Sequence, residues 1–104
     1  MSSNSLNILS IARRAGKIVM GMDITVENIK AGLCSCVCIA SDLSEKSKKE
    51  ILFVCEKENV PVFDAGVLMD EIKNVLSKRS GIVAVLDKGF AKKLESILTK
   101  VSNP

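Results

Sequence analysis

The chain has 104 residues, of which 47% are hydrophobic and 26% charged, and its net charge is +3. That size and balance fit one globular domain spanning 1–104 and exclude both a disordered chain and a histone-like polycation. No His is present, which removes the commonest general base and metal ligand; Trp and Tyr are also absent, leaving Phe53, Phe63 and Phe90 as the only aromatics.

The first five residues are polar and show no secretory pattern, and the apolar runs fall far short of a membrane span. The protein is therefore expected to be soluble, cytoplasmic and free of membrane contact, with mostly reduced thiols. So few aromatics also argue against a nucleic-acid binder that works by stacking several bases.

The elements alternate. Leu6, Ile8, Leu9, Ile11 and Ala12 recur at helical spacing, and Gly16 stops that helix. Ile18-Val-Met20 reads as a short strand broken by Gly21. Asp23 is a candidate N-cap for a second helix carrying Met22, Val26 and Ile29 inward, closed by Gly32. Cys36 to Ala40 is the second strand. Ser41 to Ser44 is a cap-rich loop before a helix with Ile51, Leu52 and Cys55 facing in and Asn59 at its end. Val60-Pro-Val-Phe63 is the third strand, with Pro61 marking an edge or a start. Leu68, Ile72, Val75 and Leu76 form a fourth helical stripe. Ser77 to Gly81 is a basic loop, and Ile82 to Leu86 is an apolar, β-branched strand. Asp87 can cap a last helix bearing Phe90, Leu94, Ile97, Leu98 and Val101, after which the chain is expected to fray. Amphipathic helices between apolar strands predict a three-layer α/β/α sandwich around a mixed, mostly parallel sheet of four strands.

Cys34, Cys36 and Cys38, with Cys55, admit two readings. As ligands they lack the C-x2-C knuckle spacing of structural zinc sites. As a strand, Cys36 to Ala40 is a small apolar run fit for burial on both faces, and free Cys behaves there as a small hydrophobe. The strand reading is preferred; no metal and no cofactor are expected.

Charge is segregated along the chain. Residues 1–21 hold Arg13, Arg14 and Lys17 without an acid (+3), residues 22–77 hold six bases and ten acids (−4), and residues 78–104 hold six bases and two acids (+4). If the basic segments meet in space they make a phosphate-binding face; if not, they are solvated lysines. No P-loop or dinucleotide fingerprint exists. Asp42, Asp64 and Asp87 each follow a strand, where α/β proteins often place active sites, but each also suits a helix cap, and no base–nucleophile pair accompanies them. No enzymatic activity is expected.

One group of strings carries a resemblance. Ala12-Arg-Arg-Ala-Gly-Lys-Ile18, Gly21, Ile39-Ala-Ser-Asp42, Val60-Pro-Val62 and Val83-Ala-Val-Leu-Asp-Lys-Gly-Phe-Ala-Lys-Lys-Leu94 together resemble the ribosomal protein family that binds kink-turn RNA. This is the L-seven-Ae and L-thirty-e superfamily, and more narrowly its small bacterial YlxQ-type branch; the resemblance spans about Leu6 to Leu98. It implies non-catalytic RNA binding, to structured or ribosomal RNA, by a monomer. In that family the turn into the second helix meets bent RNA with the pattern Gly-x-Asn-Glu-x-x-Lys, whose side chains reach exposed base edges while the helix amino terminus faces phosphate. A second contact is the loop before the last strand.

Carried onto this chain, the resemblance nominates Lys17, Gly21, Asp23, Ile24 and Glu27 at the turn and Lys78, Arg79, Ser80 and Gly81 in the loop, with Arg13 and Arg14 as phosphate contacts. Only Gly21 matches the turn pattern. Asp23 stands at the Asn position and cannot donate to guanine, Ile24 stands at the Glu position without a polar group, and Glu27 reverses the Lys charge. An alternative reading follows: a protein-interaction module on the same scaffold that has lost kink-turn specificity.

Overall fold

A computed structural model describes residues 4–102; Asn103 and Pro104, where fraying was expected, lie outside the described residues. Five helices and five strands alternate: α1 Asn4–Arg14, β1 Ile18–Met20, α2 Met22–Lys30, β2 Cys36–Ile39, α3 Glu45–Lys57, β3 Val62–Asp64, α4 Met69–Leu76, β4 Ile82–Val85, α5 Lys88–Ile97 and β5 Thr99–Val101. The sheet order is β1-β4-β2-β3-β5. The expected three-layer α/β/α sandwich is what these elements build.

Side-chain alternation along the strands creates the two cores. Cys36, Cys38, Phe63, Val83 and Val85 face one way, toward Leu9, Ile72 and Leu94 of α1, α4 and α5. Val37, Ile39, Val62, Ile82 and Ala84 face the other, toward Ile29, Ile51 and Cys55 of α2 and α3. β2 and β4 are buried at every position, which is why their sequences are unbroken apolar runs.

Four expectations are corrected. The sheet is mixed, but only β2 and β3 pair in parallel, whereas β1–β4, β2–β4 and β3–β5 are antiparallel. The last helix ends at Ile97, so Leu98 and Val101 leave the helical stripe; Leu98 turns extended and a fifth strand, Thr99–Val101, pairs with β3. This strand satisfies the backbone groups that β3 would otherwise present to solvent. The α4 stripe is half-buried: Ile72 and Leu76 are in the core, while Leu68 and Val75 are exposed. β3 also starts two residues later than expected, because the Val60 amide donates to the Cys55 carbonyl and Pro61 has no amide to give.

Strand direction then sorts the loops. β1, β2 and β3 run the same way, and β4 and β5 run against them. The carboxyl ends of β1, β2 and β3 share one end of the sheet with the start of β4. The start of β1 and the end of β4 share the other.

Replacing Phe63, which is 2% exposed, by Ala should cost about 3–5 kcal/mol in urea unfolding. The same change at Phe53, which is 67% exposed, should stay within about 0.5 kcal/mol. Equal effects would contradict the assignment of the core.

Candidate nucleic-acid interface

Three chain segments meet at the carboxyl end of β1. Gly21 adopts φ 113° and ψ 156°, a conformation side-chain-bearing residues rarely take, and turns β1 directly into α2. It is the N-cap of α2 and supplies no side-chain cap, so the first-turn amides face outward without a capping oxygen. The Gly21 amide donates to the Ile82 carbonyl at 3.0 Å, tying the turn to the loop before β4. From that loop Lys78 Nζ donates to the Met20 carbonyl at 3.4 Å, and from α1 the Arg13 Nη1 lies 2.7 Å from the Met20 sulfur. A cation from each basic terminal segment therefore stands beside one uncapped helix amino terminus. Met20 docks both, yet its sequence signal was only that of an apolar strand residue.

The remaining nominated residues divide. Asp23 is not the N-cap; the cap falls on Gly21, and Asp23 sits exposed in the first turn, where its charge favours the helix dipole. Ile24 is 42% exposed, Glu27 is exposed, and neither points a hydrogen-bonding group at the turn. Arg79 reaches away to α4, pairing through Nε with Asp70 Oδ1 at 2.9 Å. With both side chains largely solvated, that pair is worth about 0–1 kcal/mol. Ser80 and Gly81 turn inward. The Ser80 hydroxyl donates to the Ile82 carbonyl and accepts from its amide, while Gly81 is packed beneath Leu43 and Met69. They shape the loop that presents Lys78.

Lys17 and Arg14 lie elsewhere. Lys17 precedes β1, and its carbonyl accepts from the Leu86 amide beyond the end of β4. Four extended residues put it roughly 13 Å from Gly21. Arg14 ends α1 at that same far end.

The three strand-following acids are also separated, because β4 runs backwards. Asp42 accepts from the first amide of α4, Met69 N, at 3.0 Å, and Asp64 accepts from Ser41 Oγ and the Gly66 amide. Asp87, at the opposite end, caps α5 through Phe90 N at 2.9 Å. Each has a structural task. The cysteines form the expected buried strand: Cys36 and Cys38 lie in one core and Cys55 in the other. Burial, then the charge of Cys36, pushes the Cys34 thiol up from 9.0 to about 12; burial likewise takes Cys55 to about 12. Cys36 is raised too, by its hydrogen bond with Cys38 and by burial. Protonated thiols are poor metal ligands. Among the described residues no group of three or more ligand-type side chains is arranged for a metal ion, and no described helix is long and apolar enough to cross a membrane.

The fold thus places a glycine turn, an uncapped helix start and a basic loop together at one end of an α/β/α sandwich. The model of the ribosomal protein L7Ae/L30e/S12e/Gadd45 family matches residues 4–95, and the chain belongs to that family. It is 30% identical over 94 residues to the RNA-binding protein YlxQ of Enterococcus faecium, covering 90% of each chain. It is 32% identical over 96 residues to the RNA-binding protein YlxQ of Bacillus subtilis, covering 88% of this chain and 91% of that one. It is also 33% identical over 86 residues to the large ribosomal subunit protein eL30 of Sulfurisphaera tokodaii, covering 81% of each. A solved structure of a protein of unknown function from Bacillus halodurans C superimposes with a TM-score of 0.84 at 26% identity, covering 91% of this chain and 96% of that one.

Gly21→Ala should cost about 1–3 kcal/mol in urea unfolding through backbone strain alone, since a Cβ there meets nothing within 4 Å. The Cys34 and Cys55 thiols keep their protons longer in the folded state than in the unfolded one. Their stabilisation is therefore complete below pH 9.0 and lost as pH rises toward about 12. Replacing both by Ser should flatten that part of the pH–stability profile relative to wild type.

Proposed function

We propose that this chain is a non-catalytic, monomeric single-domain protein that binds structured RNA at the Gly21 turn. Lys78 beside the uncapped start of α2 is the observation that carries this reading, because a helix amino terminus plus an adjacent ammonium is a phosphate-binding arrangement. Arg13 adds a second cation, and Arg79 a third once it leaves Asp70. The family membership and the RNA-binding names of its relatives support the same reading.

The turn grips backbone and does not read tandem G·A edges. Asp23 and Ile24 offer no donor to a guanine edge, and Glu27 repels phosphate. Recognition then rests on the phosphate backbone, which bent and straight structured RNA both present to the α2 end. The competing reading, a protein-interaction surface, draws on the exposed Ile24 at the turn. A partner that survives nuclease treatment in a pull-down with the full chain, and is lost with Ile24→Ser, would favour it.

The proposal is tested by electrophoretic titration with a kink-turn hairpin and a straightened control. Wild type should bind both within about threefold, and Lys78→Glu should weaken both about tenfold at low salt. The triple change Asp23→Asn, Ile24→Glu, Glu27→Lys, which restores the family pattern, should make the kink-turn preferred by at least about tenfold. Failure of wild type to bind either RNA at low salt would remove RNA binding.

A further inference from the structure

The loop before β4 sends two neighbouring cations opposite ways. Lys78 Nζ donates to the Met20 carbonyl at 3.4 Å, at the Gly21 turn. Arg79, the next residue, is turned to α4 and held at two points: its Nε lies 2.9 Å from Asp70 Oδ1 and its Nη1 3.7 Å from Met69 Sδ. The loop backbone fixes where both side chains begin. Ser77 leaves α4 at φ 65°, and Gly81 packs beneath Leu43 and the Met69 thioether, so the loop lies folded against the first turn of α4.

The other carboxylates at that turn are already engaged. Asp42 accepts from the Met69 amide at 3.0 Å, and Glu71 accepts from the Leu68 amide at 2.9 Å. Asp70 bonds to no amide among the described residues, and its partner is Arg79. The start of α4 therefore does not depend on Asp70 as a cap. The Asp70 side chain is 78% exposed and that of Arg79 54%, so the pair stands open to competing anions. A guanidinium takes a phosphate through the same N–H fork that it offers a carboxylate.

We propose that Asp70 stands in for an RNA phosphate: it holds Arg79 away from the Gly21 turn in the free protein and yields it to the RNA backbone on binding. The inference rests on the reading of the Gly21 turn as an RNA contact and deepens it. Asp70 is a positioning residue, acting on RNA only through Arg79. Lys78 and the start of α2 meet a first phosphate directly, because both already face the turn. Arg79 joins only for an RNA that brings a further phosphate near enough to displace the Asp70 carboxylate. An exposed ion pair is weak, so the restraint is mild, lowering affinity by about two- to fivefold without closing the site.

The test titrates a kink-turn hairpin with the full chain at several salt concentrations, with thermal melts verifying the folding of every variant. Asp70→Asn should bind about two- to fivefold more tightly than wild type at low salt. Arg79→Gln should bind more weakly and lower the slope of log affinity against log salt by about one. Combined with Arg79→Gln, the Asp70→Asn change should give no gain. Glu71→Gln removes the same charge from the same turn and leaves an oxygen to cap the Leu68 amide, so it should change affinity by less than about twofold. An unchanged affinity in Asp70→Asn overturns the proposal. So does an equal gain in Glu71→Gln, or a gain that persists in the Arg79→Gln background, since either marks simple repulsion between acid and RNA. If Lys78→Glu weakens binding while Asp70→Asn changes nothing, the Gly21 reading stands and the restraint fails. If neither Lys78→Glu nor Arg79→Gln alters RNA binding, both fail.

Discussion

The Gly21 amide donates to the Ile82 carbonyl at 3.0 Å, one step beyond the ladder that pairs Met20 with Val83. This bond continues the antiparallel β1–β4 pairing into the turn and fixes what lies on either side of it. It aims α2 so that its uncapped amides face the same space as the loop before β4, and it brings Lys78 to the Met20 carbonyl. The same pairing, read in the other direction, carries Lys17 to Leu86 and sets the far end of the sheet. Because β1 and β4 are antiparallel, the two basic chain termini are folded together twice, once at each end. Glycine is needed at the junction because φ 113° is open to it and strained for other residues.

The packing supports this geometry without contributing to it chemically. Cys36 and Cys38 fill one core and Val37 and Ile39 the other, so the strand beside β4 has no polar side chain to distort it. Asp42, Asp64 and Asp87, which might have built an active site, hold loops and a helix start in place. Gly81 lets Leu43 and Met69 close over the loop that presents Lys78; a Cβ there would meet Leu43 at 2.6 Å.

Much of this was legible in the sequence where local rules decide the outcome. The buried strands announce themselves as apolar runs, the helix stops fall at Gly16, Gly32 and Asn59 with positive φ, and Asp87 caps α5 as its position suggests. The reversed course of β4 was not legible, because an apolar run carries no direction. β5 was missed because three mostly exposed residues at the end of a helical stripe look like its continuation, and only the otherwise open backbone of β3 makes them a strand. The resemblance nominates Gly21 and Lys78, whereas nothing in the sequence marks Met20 as the residue beside which the fold brings them together. Lys17 is close to Gly21 in sequence but apart from it in space, because the chain between them is extended.

Backbone amide shifts on titrating the isotope-labelled chain with a bulged RNA hairpin test the central claim most directly. If RNA seats on the Gly21 turn, the amides of Gly21, Met22, Asp23 and Ile24 should move most, together with Lys78 and Arg79. Shifts that leave these residues untouched while others respond would contradict it.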